Sequence, residues 1–234
     1  AFIRFINKTP PIGKSLVCSD NKNLNKILTK IKNKNILTYG FNKKADYRIS
    51  NSRYNSDNST FDLFYKDLNN KKKSIKNINI KLIGEHNILN ACAATAVCLN
   101  IGVKIEIIKK ALKNFSGVQR RMTKIFTKNK NEFFDDYAHH PTEISSILDG
   151  INKAYSKRKI ITVFEPHRYS RIMSLKKAFS KSFLQSDLVL ICPLYAAGEK
   201  KNLNFNLYNF AKLIAKNSKT QVVLVKNQKE LSNY

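Results

Sequence analysis

Residues 159–192 read KIITVFEPHRYSRIMSLKKAFSKSFLQSDLVLIC. A strand-like, mostly apolar run over 159–164 gives way to a polar segment, then to helical spacing over 175–184, and then to an apolar run over 188–192. The alternation continues on either side. Strands are expected at 122–126 and 132–135, followed by a helix over 142–155 that sets Ile144, Ile147, Leu148 and Ile151 on one face. Downstream lie a helix over 207–216 and a strand over 221–225. Strands and helices alternating at these lengths predict an α/β fold with a Rossmann-like, doubly wound parallel sheet from about residue 115 onward.

Before that point the pattern differs. A strand is expected at 15–19, a Lys-rich amphipathic helix around 24–31, and a strand at 35–39 closed by Gly40. Residues 45–83 alternate polar and apolar in short stretches separated by Asn/Ser/Asp turns, which predicts antiparallel hairpins. A helix rich in small and apolar residues follows over 88–100, with Gly102 as its C′ residue, and a second helix over 105–115. A domain boundary is placed near 115, giving domains 1–114 and 115–234.

The chain has 234 residues, with 43 Lys+Arg against 16 Asp+Glu, so 43 − 16 gives a net charge of +27. Hydrophobic residues make up 42%, enough for packed cores and too many for a disordered basic tail. No run approaches the ~18 apolar residues that a membrane span requires. The start, Ala1-Phe2-Ile3-Arg4-Phe5, lacks both an initiating Met and a signal-peptide layout, so the chain is expected to begin within a longer protein. The charge raises nucleic acid as a partner. Yet only eight of the cations are Arg, and the Lys are interleaved with Asn and Ile along the whole length, as AT-rich coding produces. Dispersed Lys reads as a solvated face, and no specific nucleic-acid partner is expected. Of the four cysteines, Cys18, Cys92 and Cys192 sit in apolar runs and none forms a C-x-x-C pair with Cys98 or another. They read as core thiols in a reducing cytoplasm rather than zinc ligands or disulfides.

Ligands of open parallel sheets bind beyond the carboxyl ends of the strands. Two such places are dense in chemistry. The first is Asp135-Asp136-Tyr137-Ala138-His139-His140-Pro141-Thr142, where Pro141 suits the first position of a helix and the histidines would lie near free backbone N–H groups that favour anions. The second is Glu165-Pro166-His167-Arg168-Tyr169-Ser170-Arg171, whose two Arg can present forked donors to a carboxylate or phosphate. A third grouping, Gly84-Glu85-His86-Asn87-Ile88-Leu89-Asn90, sets Asn87 and Asn90 on one face of a first helical turn, where amides and a histidine can read a nucleobase. Gly13-Lys14-Ser15 imitates the end of a phosphate loop, but Lys8 stands where the first Gly belongs and a strand follows rather than a helix.

Together with Phe-Ser-Gly-Val-Gln-Arg-Arg at 115–121 and Tyr-Ala-Ala-Gly-Glu at 195–199, these motifs run in order over nearly the whole chain. In that set the sequence resembles the Mur ligase family, and within it the branch that adds L-alanine. The resemblance implies a central ATPase domain, of which 1–114 would be the C-terminal portion, followed by a Rossmann-like C-terminal domain incomplete at Asn233-Tyr234. It implies ATP and Mg²⁺ as cofactors and UDP-N-acetylmuramate and L-alanine as substrates, joined through an acyl phosphate that the alanine amine attacks. By the same resemblance His86, Asn87 and Asn90 would surround the adenine, Arg120 or Arg121 would reach the phosphates, Asp136 the ribose hydroxyls, and Tyr137 the edge of the nucleotide site. His139, His167, Arg168 and Arg171 would hold the alanine carboxylate and the acyl end of the muramyl substrate, with His139, Arg168 and Arg171 the catalytic set. Gln119 and Ala138 stand where the family more often has Gly. No phosphate loop, no Mg²⁺ ligand set and no UDP-binding domain is found in these residues, so the chain alone is expected not to ligate. Two alternatives are a murein-recycling tripeptide ligase of the same family and, from another class, a basic nucleic-acid-binding module.

Overall fold

Period-2 burial along residues 47–80 builds the first of two compact units, Ala1–Gly117 and Val118–Tyr234. The computed structural model describes residues 2–33, 35–67 and 69–231. The expected truncation at Asn233 and Tyr234 therefore lies outside the described residues.

In the first unit the order is α1 (Phe2–Asn7), β1 (Ser15–Cys18), α2 (Lys22–Leu28), β2 (Ile36–Gly40), β3 (Tyr47–Tyr54), β4 (Ser59–Lys66), β5 (Lys72–Ile80), α3 (Glu85–Asn100) and α4 (Ile105–Asn114). The sheet runs β1-β2-β3-β4-β5, with β1, β2 and β3 parallel and β3, β4 and β5 antiparallel. Ile49, Phe61, Leu63, Ile75, Ile78 and Ile80 are buried with Ile88, Ala91, Cys92 and Ala96 of α3. The small residues of α3 let the helix seat closely, and burial pushes the Cys92 thiol up to about 12, so it serves as a core hydrophobe. Ser15 opens a strand rather than a helix, which disposes of the phosphate-loop imitation. Helix α1 had no counterpart in the sequence reading.

The end of β2 is held by a carboxylate. Asp20 accepts the N–H groups of Phe41 at 2.7 Å and Asn42 at 2.9 Å. Gly40 makes room for it at φ +144°, since a Cβ there would lie 2.3 Å from Asp20 Oδ2.

The second unit contains β6 (Thr123–Lys128), β7 (Asn131–Asp135), α5 (Pro141–Ala154), β8 (Ile161–Phe164), α6 (Tyr169–Ser174), α7 (Lys176–Phe179), β9 (Leu188–Ile191), α8 (Leu207–Ser218), β10 (Gln221–Leu224) and α9 (Gln228–Leu231). Strands β8, β9 and β10 form a parallel sheet in the order β10-β9-β8. Val189 and Ile191 of β9 pack with Phe164, Ile172, Phe179, Phe183, Phe210 and Ile214. Two details depart from the expected pattern. Strands β6 and β7 form their own antiparallel hairpin, turned by Asn129 and Lys130, both at positive φ as a two-residue hairpin loop of this hand requires. The helix expected over 175–184 is broken, because the Ser180 and Ser182 hydroxyls bond back to the carbonyls of Lys177 and Ala178 and compete with the backbone ladder. No helix among the described residues is long and apolar enough to cross a membrane.

Glu132 staples the hairpin to the end of α5: its carboxylate meets Lys124 of the hairpin at 2.8 Å, and beyond it Arg158 at 3.2 Å and the Tyr155 hydroxyl at 2.9 Å. The Lys124 ammonium is the main reason that this carboxyl lies below its ordinary range. A depressed carboxyl contributes stability that is present above its unfolded value of about 4.3 and is lost as pH falls through the lower folded value. Glu132→Gln is expected to remove roughly 1–2 kcal/mol at pH 7 and to flatten the acid limb of a melting-temperature profile taken from pH 7 to 3. Parallel acid limbs for wild type and variant would refute this role.

Candidate functional site

Three strand ends meet in the second unit. The segment after β7 carries Tyr137 and His139, the segment after β8 carries His167, Arg168 and Arg171, and the segment after β9 carries Tyr195. Beyond the strands, His167 and Tyr195 continue the parallel pairing of β8 and β9. The Tyr195 N–H donates to the Pro166 carbonyl at 2.8 Å, and the Arg168 N–H donates to the Tyr195 carbonyl at 2.9 Å. The rings form a chain: Tyr137 to His139 at 5.3 Å between centroids, His139 to His167 at 6.4 Å, and His167 to Tyr195 at 5.3 Å. The two motifs singled out in the sequence thus stand side by side.

Hydrogen bonding sets the two imidazoles in opposite tautomers. An Arg171 guanidinium N–H donates to His167 Nδ1 at 3.3 Å, and since Arg cannot accept, that nitrogen is bare and the ring's proton sits on Nε2. Burial, then Arg171, Arg168 and His139, hold His167 below the ordinary histidine range, so it is neutral at pH 7. His139 Nδ1 lies 2.9 Å from the Tyr137 carbonyl, which can only accept, so Nδ1 carries a proton, and the tautomer this bond selects has its lone pair on Nε2.

Backbone conformation here is unusual. Among the described residues of the second unit, Arg120, Met122, Arg168 and Ala197 adopt positive φ in the loops that carry or border the site, a conformation sterically disfavoured for side chains with a Cβ. Arg168, at φ +67°, turns the chain from β8 into α6.

One expectation is corrected by this geometry. Pro141 does take the first helical position, but the amides before and after it are not open to an anion. Glu143 Oε2 accepts the N–H groups of His139 at 3.0 Å and His140 at 3.1 Å, while His140 Nδ1 accepts from Thr142 N–H at 3.3 Å. His140 is a helix cap. Burial alone would raise the Glu143 carboxyl, but these donors outweigh it and hold the group below its ordinary range.

The residues expected at a nucleotide divide between the units. In the second, Asp136 uses one oxygen on Met122 N–H at 2.8 Å and the other on Ala138 N–H at 2.6 Å. Each oxygen keeps a further lone pair, so the carboxylate is fixed in orientation yet still able to accept two hydroxyls, as a ribose would require. Arg120 is committed to Asp135 at 3.3 Å and to the Tyr137 ring at 4.9 Å. Arg121 is exposed and has no ion pair among the described residues, which makes it the better placed of the two for a phosphate. In the first unit, His86, Asn87 and Asn90 share the opening turns of α3. The Asn87 amide donates to the Ile83 carbonyl at 2.8 Å, leaving its oxygen and second N–H for a base edge.

Sequence reasoning gave no role to Tyr195 or Glu199. Tyr195 follows closely after the apolar strand β9, where the strand-end rule would have found it, whereas Glu199 lies too far along the same loop for that rule to mark it.

Comparison with known proteins bears on the whole chain. Residues 1–98 match the model of the Mur ligase middle domain, and residues 120–234 match that of the Mur ligase glutamate ligase domain. A protein of Pelagibacter ubique named UDP-N-acetylmuramate--L-alanine ligase is 48% identical over 100% of this chain and 50% of its own length. One of the same name from Vesicomyosocius okutanii is 38% identical over 99% of this chain and 49% of its own. The chain spans about half the length of these curated relatives. The crystal structure of UDP-N-acetylmuramate-alanine ligase from Thermotoga maritima superposes with a TM-score of 0.66 at 25% identity, over 84% of this chain and 41% of that one. MurF from Acinetobacter baumannii shares the fold at a TM-score of 0.73 and 20% identity, over 99% of this chain and 47% of that one.

Proposed function

The chain belongs to the Mur ligase family, and from that premise we infer that it is the C-terminal portion of the central ATP-binding domain (1–114) and the Rossmann-like ligase domain (115–234) of an ATP-dependent ligase joining L-alanine to UDP-N-acetylmuramate. The observation that carries the reading is the convergence of His139, His167, Arg168 and Arg171 beyond β7 and β8, with the imidazoles in opposite tautomers. Arg168 and Arg171 supply forked donors for the alanine carboxylate and the acyl oxygen, and His167 adds an Nε2–H donor. His139 offers its Nε2 lone pair to the proton that the alanine ammonium must lose before its nitrogen can attack. ATP, when bound, supplies the phosphoryl group that turns the muramyl carboxylate into an acyl donor. Asp136 and Arg121 would hold it by ribose and phosphate, and Tyr137 would border it. Mg²⁺ would be held mainly by residues outside this chain. Free thiols, of which Cys92 and Cys192 are buried and Cys18 and Cys98 half-buried, suit the cytoplasm, where these substrates are expected.

The test is a chimera in which this chain replaces the matched half of the Pelagibacter ubique relative. Phosphate release that requires both L-alanine and UDP-N-acetylmuramate is the expected result, with no ligation by the 234-residue chain alone. A folded chimera that prefers an intact tripeptide to L-alanine, or releases no phosphate with either, would overturn the reading.

A further inference from the structure

The loop after β9 ends in a carboxylate that reaches back to the loop after β8. Glu199 accepts the Ser170 backbone N–H at 3.0 Å, the Ser170 hydroxyl, and the Tyr169 N–H. Its own N–H closes a turn onto the Ala196 carbonyl at 3.1 Å, through Ala197 at φ +50° and Gly198 at φ +84°. This turn aims the side chain at the first two residues of α6, immediately after Arg168 in its strained backbone conformation. A residue held at positive φ despite its Cβ needs fixed neighbours. Arg168 has them on both sides: the Tyr195 carbonyl takes its N–H, and Glu199 pins the two residues that follow. Arg171 lies on the same short helix and reaches back to His167.

We infer that Glu199 is a positioning residue, fixing the loop that presents His167, Arg168 and Arg171 to the reacting carboxylates. Its oxygens are directed to Ser170 and Tyr169, so it acts through those residues rather than on substrate. The Ser170 hydroxyl is the main cause that holds its carboxyl below the ordinary range, and Glu199 is therefore ionised at neutral pH. The role in ligation rests on the reading proposed above, whereas the loop geometry does not.

The test reads the His167 imidazole by NMR titration in the 234-residue chain. That ring is faced by Arg171, Arg168, His139, Glu165 and the Tyr195 ring. Deleting a carboxylate by its charge alone would lower a neighbouring histidine. Loss of positioning does the opposite, because Arg168 and Arg171 relax away from the ring. Glu199→Ala and Glu199→Gln are expected to raise the His167 midpoint toward the ordinary value, with Glu199→Asp partly restoring it. A midpoint that stays or falls in a folded variant overturns the inference. If Glu199→Ala melts early, Ser170→Ala, which removes only the hydroxyl donor, is read by the same criterion. In the chimera, Glu199→Ala is expected to lower kcat on the order of 10²-fold with the KM for ATP unchanged, a loss typical of misplacement by about 1 Å. Unchanged kcat would deny Glu199 its role in ligation. A shifted His167 midpoint beside a wild-type chimera that releases no phosphate would refute the ligase reading and leave the positioning of the loop standing.

Discussion

Arg171→Ala in the chimera is expected to lower kcat/KM for L-alanine by on the order of 10²–10³-fold, the loss seen when a fixed charge-stabilising donor is removed. The guanidinium has five N–H donors, of which one is used on His167 Nδ1 at 3.3 Å. The remaining donors face a site whose helix-end amides are already occupied. Removing the side chain also frees His167 to protonate or rotate, so two of the four converging groups are lost together. Arg171→Lys keeps the charge without the planar fork and is expected to recover only part of the rate. The half-buried side chain belongs to no ion pair among the described residues. Melting temperature should therefore change little, and steady-state kinetics together with a melting curve separate the two effects. Full activity in Arg171→Ala would remove Arg171 from the site.

The second large effect concerns the first unit. Gly40→Ala is expected to destabilise it by roughly 3–5 kcal/mol, combining a strained backbone of about 1–3 kcal/mol with weakening of charge-assisted hydrogen bonds worth about 1.5–3 kcal/mol. At φ +144° an added Cβ would stand 2.3 Å from Asp20 Oδ2, and the carboxylate would have to leave the Phe41 and Asn42 amides. The mechanism carries its own check. In an Asp20→Ala background the clash is absent, so the double variant should be more stable than the sum of the single losses allows. Urea denaturation followed by circular dichroism measures all four forms, and strict additivity would count against the clamp.

Much of this was legible in the sequence, and the exceptions have physical causes. Residues 161–164 and 188–191 announce a parallel pair because both are short runs of β-branched and apolar residues without a charge, and α5 announces itself through Ile144, Leu148 and Ile151. The antiparallel turn at Asn129 and Lys130 does not, because neither residue is the glycine that usually marks such a loop. The early end of α7 is hidden in serine hydroxyls, whose choice between solvent and backbone depends on the packed state. At the site, clustering of His and Arg after strand ends was visible along the chain. Glu199 was not, since its partner lies 29 residues earlier and only the parallel pairing of β8 and β9 brings them together. The N-capping by His140 was missed because it needs the ring's tautomer, which sequence does not contain.

The two carboxylates that occupy helix-end amides here, Glu143 at α5 and Glu199 at α6, have a consequence for how the site discriminates among anions. With these amides satisfied internally, the attractive field of the proposed site would come from the Arg168 and Arg171 side chains, and not from a rigid cradle of dipoles. Such a site selects by fork geometry and reach instead of by charge alone. Spherical anions such as chloride, which compete well in amide cradles, should be poor occupants, and planar carboxylates good ones. Selectivity of this kind is tuned by changing single side chains, with the backbone of the sheet left as it is.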